Sequence, residues 1–249
     1  MSGTSPEGPR APGGEFRPDL EGLRAVAVGL VLLYHAQVPK LRGGYIGVDV
    51  FFVLSGFLIT GLIVRELRAT GHLDLPQFYA RRARRLLPAA AVALAGTLLL
   101  SLILLPPLRV PDVAGDAAAA SLYVSNMRFA LQATDYLAAD AAPSPLLHFW
   151  SLGVEEQFYV FWPALLLAVA TFRARVGSAA MTRRLVLAVG AVAVLSFVAS
   201  LVLTTANQPW AFFSLPTRAW ELALGGLLAL GVERTARLPR LVAGSLVAA

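Results

Sequence analysis

The sequence predicts an all-α protein built as a multi-pass bundle of transmembrane helices. Hydrophobic residues make up 57% of the 249 residues and charged residues only 14%, with a mean hydropathy of +0.67. A soluble domain carries about 25% charged residues. The apolar residues also gather into separate runs of about 20, the length that crosses a bilayer as a helix. Composition and run length therefore predict the same architecture.

Six apolar runs are long enough to span a membrane, and a seventh begins near Leu241. The six complete runs are Leu20–Val38, Tyr45–Val64, Leu86–Leu105, Leu146–Ala170, Leu185–Thr205 and Leu215–Leu230. Because the sequence stops at Ala249 inside the seventh run, residues 18–249 are expected to be part of a larger membrane domain. The weakly apolar stretch Ala114–Ala133 is interpreted as an interfacial helix.

Residues 1–17 are predicted to form a disordered cytoplasmic tail, because they are rich in Pro and Gly and lack periodicity. The first apolar run after this tail also suits a secretory signal. However, no A-x-A-like cleavage site follows it, which favours an uncleaved first helix.

The arginines predict the orientation of the helices. With the N-terminus inside the cell, the inner segments hold most of the basic residues and the outer segments hold few. The positive-inside rule therefore predicts a cytoplasmic N-terminus. The protein is expected to lie in the inner (plasma) membrane. A net charge of +6 is also compatible with binding to nucleic acid, but the arginines cluster between apolar runs, which favours the lipid bilayer as the partner.

Several ionisable residues lie in the apolar runs or at their edges. A charge at the centre of a membrane helix costs roughly 2.5–3.5 kcal/mol, so such residues pair with one another or line a wet cavity. They are therefore candidate functional residues. They are Arg24, His35, Asp49, His148, Glu155, Glu156, Arg218 and Glu221. The candidate catalytic residues are His35, Asp49 and Glu155. The candidate substrate-binding residues are Arg24, His148, Arg218 and Glu221, together with Arg82 and Arg85 from the basic run before the third apolar run.

Most of these residues are predicted to lie at one level near the outer surface. The short connection after helix 1 is expected to bring His35 and Asp49 to similar depth. The fourth apolar run, Leu146–Ala170, is predicted to enter the membrane from outside. The i, i+7 spacing of His148 and Glu155 places both residues on one face of its helix. The sixth apolar run, Leu215–Leu230, also begins outside. The i, i+3 spacing of Arg218 and Glu221 allows them to form an ion pair, which is expected to be structural rather than catalytic.

A basic cluster is predicted at the inner surface. Arg24 lies near the start of the first apolar run, and the run from Arg81 through Arg82 to Arg85 stands just before the third apolar run. Such a run can serve as an anchor for lipid headgroups. It can equally bind phosphate, since guanidinium groups bind phosphate with two hydrogen bonds.

His35 is the strongest catalytic candidate. A histidine oriented by a carboxylate such as Asp49 can act as general base on a hydroxyl, although a lone helix histidine can also be a packed polar residue. His148 is a weaker candidate, because its aromatic neighbours suit an interfacial belt. Glu155 and Glu156 are helix neighbours and are expected to face different partners. Ser55 is expected to assist helix packing rather than act as nucleophile.

Other chemistries lack their sequence signals. The absence of cysteine excludes disulfides, thiolate metal sites and a cysteinyl acyl-enzyme. The sequence contains no H-E-x-x-H, EF-hand or P-loop motif, so no metal site is predicted. Neither His35 nor His148 belongs to the H-x4-D motif that some acyltransferases use.

Five motifs, in order along the chain, resemble those of the acyltransferase type 3 family of membrane proteins. They are Arg17–Val28 leading to His35, Gly44–Leu58, Phe78–Pro88, His148–Tyr159, and Thr217–Leu222 with Gly225 and Gly226. The resemblance covers about residue 16 to the C-terminus. Family members usually carry about ten transmembrane helices, sometimes followed by a soluble hydrolase-like domain.

The resemblance implies an O-acyltransferase that moves a short acyl group, often acetyl, from cytoplasmic acyl-CoA to a hydroxyl of a glycan or related acceptor. Acetyl-CoA would be a donor substrate, with no cofactor bound. By the resemblance, His35 would be the central catalytic residue, and Arg82 and Arg85 would form an R-x-x-R element near the donor. Asp49 and Glu155 match motif positions without an assigned role. The alternatives are a transporter whose path these polar groups line, or a scaffold without catalytic activity.

Overall fold

The computed structural model describes residues 18–39, 43–135, 143–171 and 178–235. Regular structure in these four ranges is helical, and they contain no strand. The predicted all-α class is therefore confirmed. The chain divides into two compact units, Met1–Val50 and Phe51–Ala249.

Nine α-helices lie within the described residues, in order along the chain. They are α1 (Pro18–His35), α2 (Ile46–Thr70), α3 (Leu75–Leu104), α4 (Val110–Ser121), α5 (Ser125–Thr134), α6 (Phe149–Thr171), α7 (Ser178–Ala206), α8 (Gln208–Phe213) and α9 (Leu215–Thr235). A single 3-10 turn, Pro107–Arg109, connects α3 to α4.

All six complete apolar runs form helices, as predicted. Four helices are long and apolar enough to cross a membrane: Ile46–Thr70, Leu75–Leu104, Phe149–Thr171 and Ala179–Ala206. Their outward side chains are apolar, and Val92 and Ile103 of α3 are 75% and 77% exposed. Such surfaces suit lipid rather than water. The predicted tail and the start of the seventh run lie outside the described residues.

In the first unit, α1 packs against the start of α2 through glycine. A Cβ atom at Gly44 would collide with the carbonyl oxygen of Leu30, and one at Gly47 with that of Ala27. A step forward along α2 thus corresponds to a step back along α1, so the two segments are antiparallel. Glycine permits this close backbone approach between membrane helices.

The helix α3 begins at Leu75 rather than Leu86, so it includes the arginine-rich run. The side chain of Asp74 accepts a hydrogen bond from the backbone N–H of Gln77 at 2.9 Å and caps the helix. Pro76 stands in the first turn, where its missing N–H costs nothing. The arginines are consequently helical residues with defined faces rather than members of a loop.

The stretch interpreted as one interfacial helix is two helices, α4 and α5, separated by a turn at residues 122–124. α4 runs along α3, where Val113, Ala117 and Ala120 share a buried cluster with Leu94. Small alanine side chains allow the close packing. The turn interrupts the helix because Tyr123 adopts a left-handed backbone conformation with φ 55°.

In the second unit, α2 and α9 contact each other backbone to backbone. A Cβ atom at Gly56 would overlap the carbonyl of Leu222, and one at Gly225 would overlap that of Val53. The predicted packing role of the small residues near Gly56 is therefore confirmed. This contact fixes the position of the α2 segment that carries the polar site described next.

Candidate functional site

Arg82 of α3 and Glu156 of α6 form the central ion pair of a polar site in the second unit. The Arg82 Nε donates to both Glu156 carboxylate oxygens, at 3.0 Å and 2.9 Å, and Nη2 donates to Oε1. The Arg82 side chain is 23% exposed and that of Glu156 is 13% exposed. A pair that is so largely buried requires matched charges and hydrogen bonds, which this geometry supplies.

Glu155 lies beside this pair and is held by two hydroxyl groups. Tyr159 donates a hydrogen bond to Glu155 Oε1 at 2.6 Å, and Ser55 of α2 donates to the same oxygen. Arg82 Nη2 is 3.9 Å from that oxygen, and the guanidinium lies over the Tyr159 ring at 3.4 Å. The orientation of the Glu155 carboxylate is thus fixed by contacts with residues of α2, α3 and α6.

This contact corrects the predicted depths of two residues. Sequence reasoning placed Arg82 at the inner surface and Glu155 near the outer surface, whereas the structure places Nη2 of Arg82 3.9 Å from Glu155. The difference arises because α3 extends back to Leu75, which makes Arg82 part of the packed helix. Of the two neighbouring glutamates, Glu156 forms the pair with an arginine that was expected for one of them, whereas Glu155 binds two hydroxyls and lies 3.9 Å from Arg82.

His35 ends α1 in the first unit. Its Nδ1 lies 2.8 Å from the backbone carbonyl oxygen of Val31. A carbonyl oxygen only accepts hydrogen bonds, so this contact places a proton on Nδ1, and a neutral imidazole in this arrangement has its lone pair on Nε2. The side chain is exposed, and its ring makes an edge contact with Tyr34 at 5.4 Å. Nε2 is therefore the ring nitrogen that could act as a general base.

Asp49 does not lie at the depth of His35. In the α1–α2 packing, Gly44 faces Leu30 and Tyr34, and Gly47 faces Ala27 and Val31. Continuing this register places Asp49 opposite Ala27, about 12 Å from the level of His35 at a rise of 1.5 Å per residue. The expectation of similar depth is wrong, because Asp49 lies inside α2, well past the residues that face the end of α1. The backbone carbonyl of Val31 orients His35 instead.

The remaining basic candidates are more accessible. Arg24 pairs with Glu21 on its own helix at 3.1 Å, and 34% of its side chain is exposed. Arg85 is exposed, and no ion pair or side-chain hydrogen bond joins it to another residue within the described ranges. His148 is exposed in the turn before α6, with its ring 4.9 Å from that of Phe149. It therefore does not continue the helical face of Glu155.

Arg218 and Glu221 form the predicted pair at the start of α9. Arg218 Nη1 donates to Glu221 Oε1 at 2.7 Å, and Glu221 is only 1% exposed. Arg218 also donates to the carbonyl of Phe212 at 3.0 Å and lies near the ring of Trp150. These contacts tie α9 to α8 and α6, and the substrate-binding role of the pair stays a prediction.

Sequence reasoning missed several polar partners. Ser55 and Tyr159 bind Glu155, although Ser55 was expected only to assist packing. The i, i+4 spacing of Glu155 and Tyr159 was a usable signal. Asn126 and Gln157 form a further hydrogen bond, 2.8 Å long, between α5 and α6. The long sequence separation of these two residues gave no indication of that contact.

Among the described residues, no group of three or more His, Asp or Glu side chains is arranged to hold a metal ion. The polar site instead contains a guanidinium, two carboxylates and two hydroxyls. These groups can orient a polar substrate and exchange hydrogen bonds with it.

Comparison with known proteins identifies the family. A family model described as an acyltransferase domain matches residues 17–249, nearly the whole chain. The chain belongs to the acyltransferase type 3 family. The motif resemblance is therefore confirmed. No solved structure matches the chain.

Bacterial O-acetyltransferases are among the relatives of this family member. The chain is 36% identical over 215 residues to the peptidoglycan O-acetyltransferase OatA of Listeria monocytogenes. It is 37% identical over 220 residues to the putative peptidoglycan O-acetyltransferase YrhL of Bacillus subtilis, and 38% identical over 216 residues to the O-acetyltransferase OatA of Staphylococcus aureus. Each match covers 86% of this chain and 33–34% of the relative. The chain thus spans about a third of the length of these relatives.

Proposed function

We propose that the protein is a membrane O-acyltransferase that moves an acetyl group from acetyl-CoA to a hydroxyl of a cell-surface glycan. Family membership and the O-acetyltransferases among the relatives support an O-acetyl transfer. The four apolar helices support a reaction at a membrane. The donor, the acceptor and the orientation with a cytoplasmic N-terminus in the plasma membrane are parts of the proposal.

The catalytic part of the proposal rests on the hydrogen bond from His35 Nδ1 to the Val31 carbonyl oxygen. Because Nδ1 donates to the carbonyl, Nε2 is the proton acceptor. In the proposed step, Nε2 removes the proton of the acceptor hydroxyl while the hydroxyl oxygen forms a bond to the acyl carbonyl carbon. The carbon–sulfur bond of the thioester then breaks, and the imidazolium returns the proton to the departing thiolate. The products are an ester and free coenzyme A.

The positive charge for the donor's phosphates is assigned to Arg85 rather than Arg82. Arg82 is already neutralised by Glu156 and faces Glu155, so an additional anion gains little there. Arg85 is exposed and has free guanidinium donors within the described ranges. Guanidinium groups bind phosphate oxygens in pairs.

The other candidates have supporting roles in this proposal. Glu155, fixed by Tyr159 and Ser55, is a positioning carboxylate of the polar site. Asp49 acts away from the imidazole, given its register on α2. Arg24 and His148 are accessible groups for substrate contact, and Arg218 with Glu221 supports the fold around α9.

Transfer of labelled acetyl groups tests the proposal. Membranes that carry the full-length protein are supplied with acetyl-CoA labelled in the acetyl group, and the label on isolated glycan is measured against membranes without the protein. Protein-dependent label in an alkali-labile ester supports the transferase. Movement of acetyl-CoA or glycan across the membrane without ester formation supports a transporter and contradicts the proposal.

A further inference from the structure

Tyr123 occupies a strained turn at the tip of the α4–α5 hairpin. Its φ of 55° lies in the left-handed region, which a bulky L-residue rarely adopts. Strain of this kind persists only where the surrounding structure enforces it, and it concentrates at functional positions. The turn therefore requires both a mechanism that holds it and a reason for its existence.

Two amide side chains hold the turn against α6. Gln157 donates to the backbone carbonyl of Tyr123 at 2.8 Å and to the Oδ1 of Asn126 at 2.8 Å. Asn126 in turn donates to the carbonyl of Phe213 at 3.0 Å. Gly153 leaves space for this arrangement, since a Cβ there would come within 3.2 Å of the Tyr123 carbonyl. The backbone of the turn is thus fully supported from α5, α6 and α8.

The hydroxyl of Tyr123 is buried but has no hydrogen-bond partner among the residues that the structure describes. Buried hydroxyl groups are nearly always hydrogen-bonded, so this one requires an explanation. Burial, followed by the negative charge of Glu156, raises the pKa of Tyr123 above its ordinary value. The phenol therefore stays protonated and remains a hydrogen-bond donor at physiological pH.

A second unused donor lies on Arg82, whose charge also acts on Tyr123. The Nε and Nη2 of Arg82 serve Glu156, whereas Nη1 forms no hydrogen bond within the described part of the chain. Arg82 is balanced by two carboxylates, those of Glu155 and Glu156. A phosphate would meet surplus negative charge here, whereas a neutral group that only accepts hydrogen bonds would match the two donors.

We propose that Tyr123 is a substrate-binding residue whose hydroxyl donates a hydrogen bond to a carbonyl oxygen of the acyl donor, with Arg82 Nη1 as the second donor. The inference rests on the proposed function, because an acyl thioester is the substrate that brings such a carbonyl. It assigns the α4–α5 turn to the donor site and explains why a strained residue is kept there. Binding of the substrate gives the buried hydroxyl its missing partner.

The variant Tyr123→Phe tests the inference, because it removes only the hydroxyl. Without substrate no hydrogen bond is lost, so the thermal unfolding midpoint of the purified protein, followed by tryptophan fluorescence, should not fall. The kcat/KM for acetyl-CoA should fall about tenfold, the usual effect of one hydrogen bond to a substrate. Activity and stability are therefore predicted to respond differently.

Tyr79→Phe is the matched control. The Tyr79 hydroxyl donates to the backbone carbonyl of Val160 at 2.8 Å, so its removal should lower the unfolding midpoint and leave kcat/KM near the wild-type value. Wild-type kcat/KM in Tyr123→Phe would overturn the inference and leave the proposed function intact. A loss of stability like that of Tyr79→Phe would also overturn it, because the hydroxyl would then have a partner in the protein. Absence of acetyl transfer by the wild-type protein would overturn both proposals.

Discussion

Replacement of Arg82 by Met should destabilise the protein by about 3 kcal/mol, because it leaves two carboxylates without their cation. Arg82 binds Glu156 through Nε and Nη2 and lies 3.9 Å from Glu155. Breaking a buried ion pair by removing one partner costs about 3–5 kcal/mol. The Arg82 side chain is 23% exposed and that of Glu156 13% exposed, which places this pair at the lower end of the range.

The double variant Arg82→Met with Glu156→Met shows whether the cost comes from an unpaired charge. Exchanging a whole ion pair for apolar side chains of similar volume is often neutral, so the double variant should lose about 1 kcal/mol or less. It should therefore be more stable than either single variant. Arg84→Met serves as control, because Arg84 is exposed and donates only to the carbonyl of Ala80 on its own helix.

Unfolding in mixed detergent micelles, titrated with a denaturing detergent and followed by tryptophan fluorescence, gives the free energies of unfolding of the wild-type protein, the two single variants, the double variant and the Arg84→Met control. A loss in the double variant equal to the sum of the losses in the two single variants would refute the reasoning. Such a result would mean that Arg82 and Glu156 stabilise the fold independently of each other.

Two further predictions concern helix packing and donor binding. Gly225→Ala should cost roughly 1–3 kcal/mol in the same unfolding assay, because its Cβ would overlap the carbonyl of Val53, whereas Gly96→Ala meets open space and should cost nothing. Equal stability of the two variants would contradict the close α2–α9 contact. Arg85→Ala should raise the KM for acetyl-CoA about tenfold through the loss of a charged hydrogen bond, and Arg84→Ala, which removes the same charge from the same run, should raise it little. Equal KM values for these two variants would reduce the arginine run to a general anchor.

The helices were predictable because each has a physical signal that is local in sequence. An apolar run of about 20 residues predicts a membrane helix regardless of its neighbours. The start of α3 was misplaced for the same reason. Hydropathy falls at the arginines, although the Asp74 cap and the following Leu75–Leu104 segment continue the helix through them. The arginines therefore mark the start of the apolar segment but not the start of the helix.

The polar site was less predictable because it depends on contacts between distant parts of the sequence. Glu155 and Arg82 were both identified as candidates, but their depths were derived from where apolar runs begin. The structure instead brings them together through the packing of α3 and α6. Ser55 contacts Glu155 across a separation of 100 residues, which no local pattern can show.

Turn geometry gave the least signal. The turn at residues 122–124 contains neither Gly nor Pro, so nothing in the sequence marked a break between α4 and α5. Tyr123 adopts a positive φ there because Gln157 and Asn126 hold the surrounding backbone. Such a tertiary cause is visible only once the helices are packed.

The acetyl transfer activity of His35→Ala tests the central claim most directly. In the proposed mechanism, Nε2 of His35 accepts the proton, because Nδ1 donates its hydrogen bond to the Val31 carbonyl. With labelled acetyl-CoA and membranes that contain equal amounts of each protein, the variant should insert normally and place no label on glycan above the protein-free background. Glycan labelling by the variant at the wild-type rate would contradict the account.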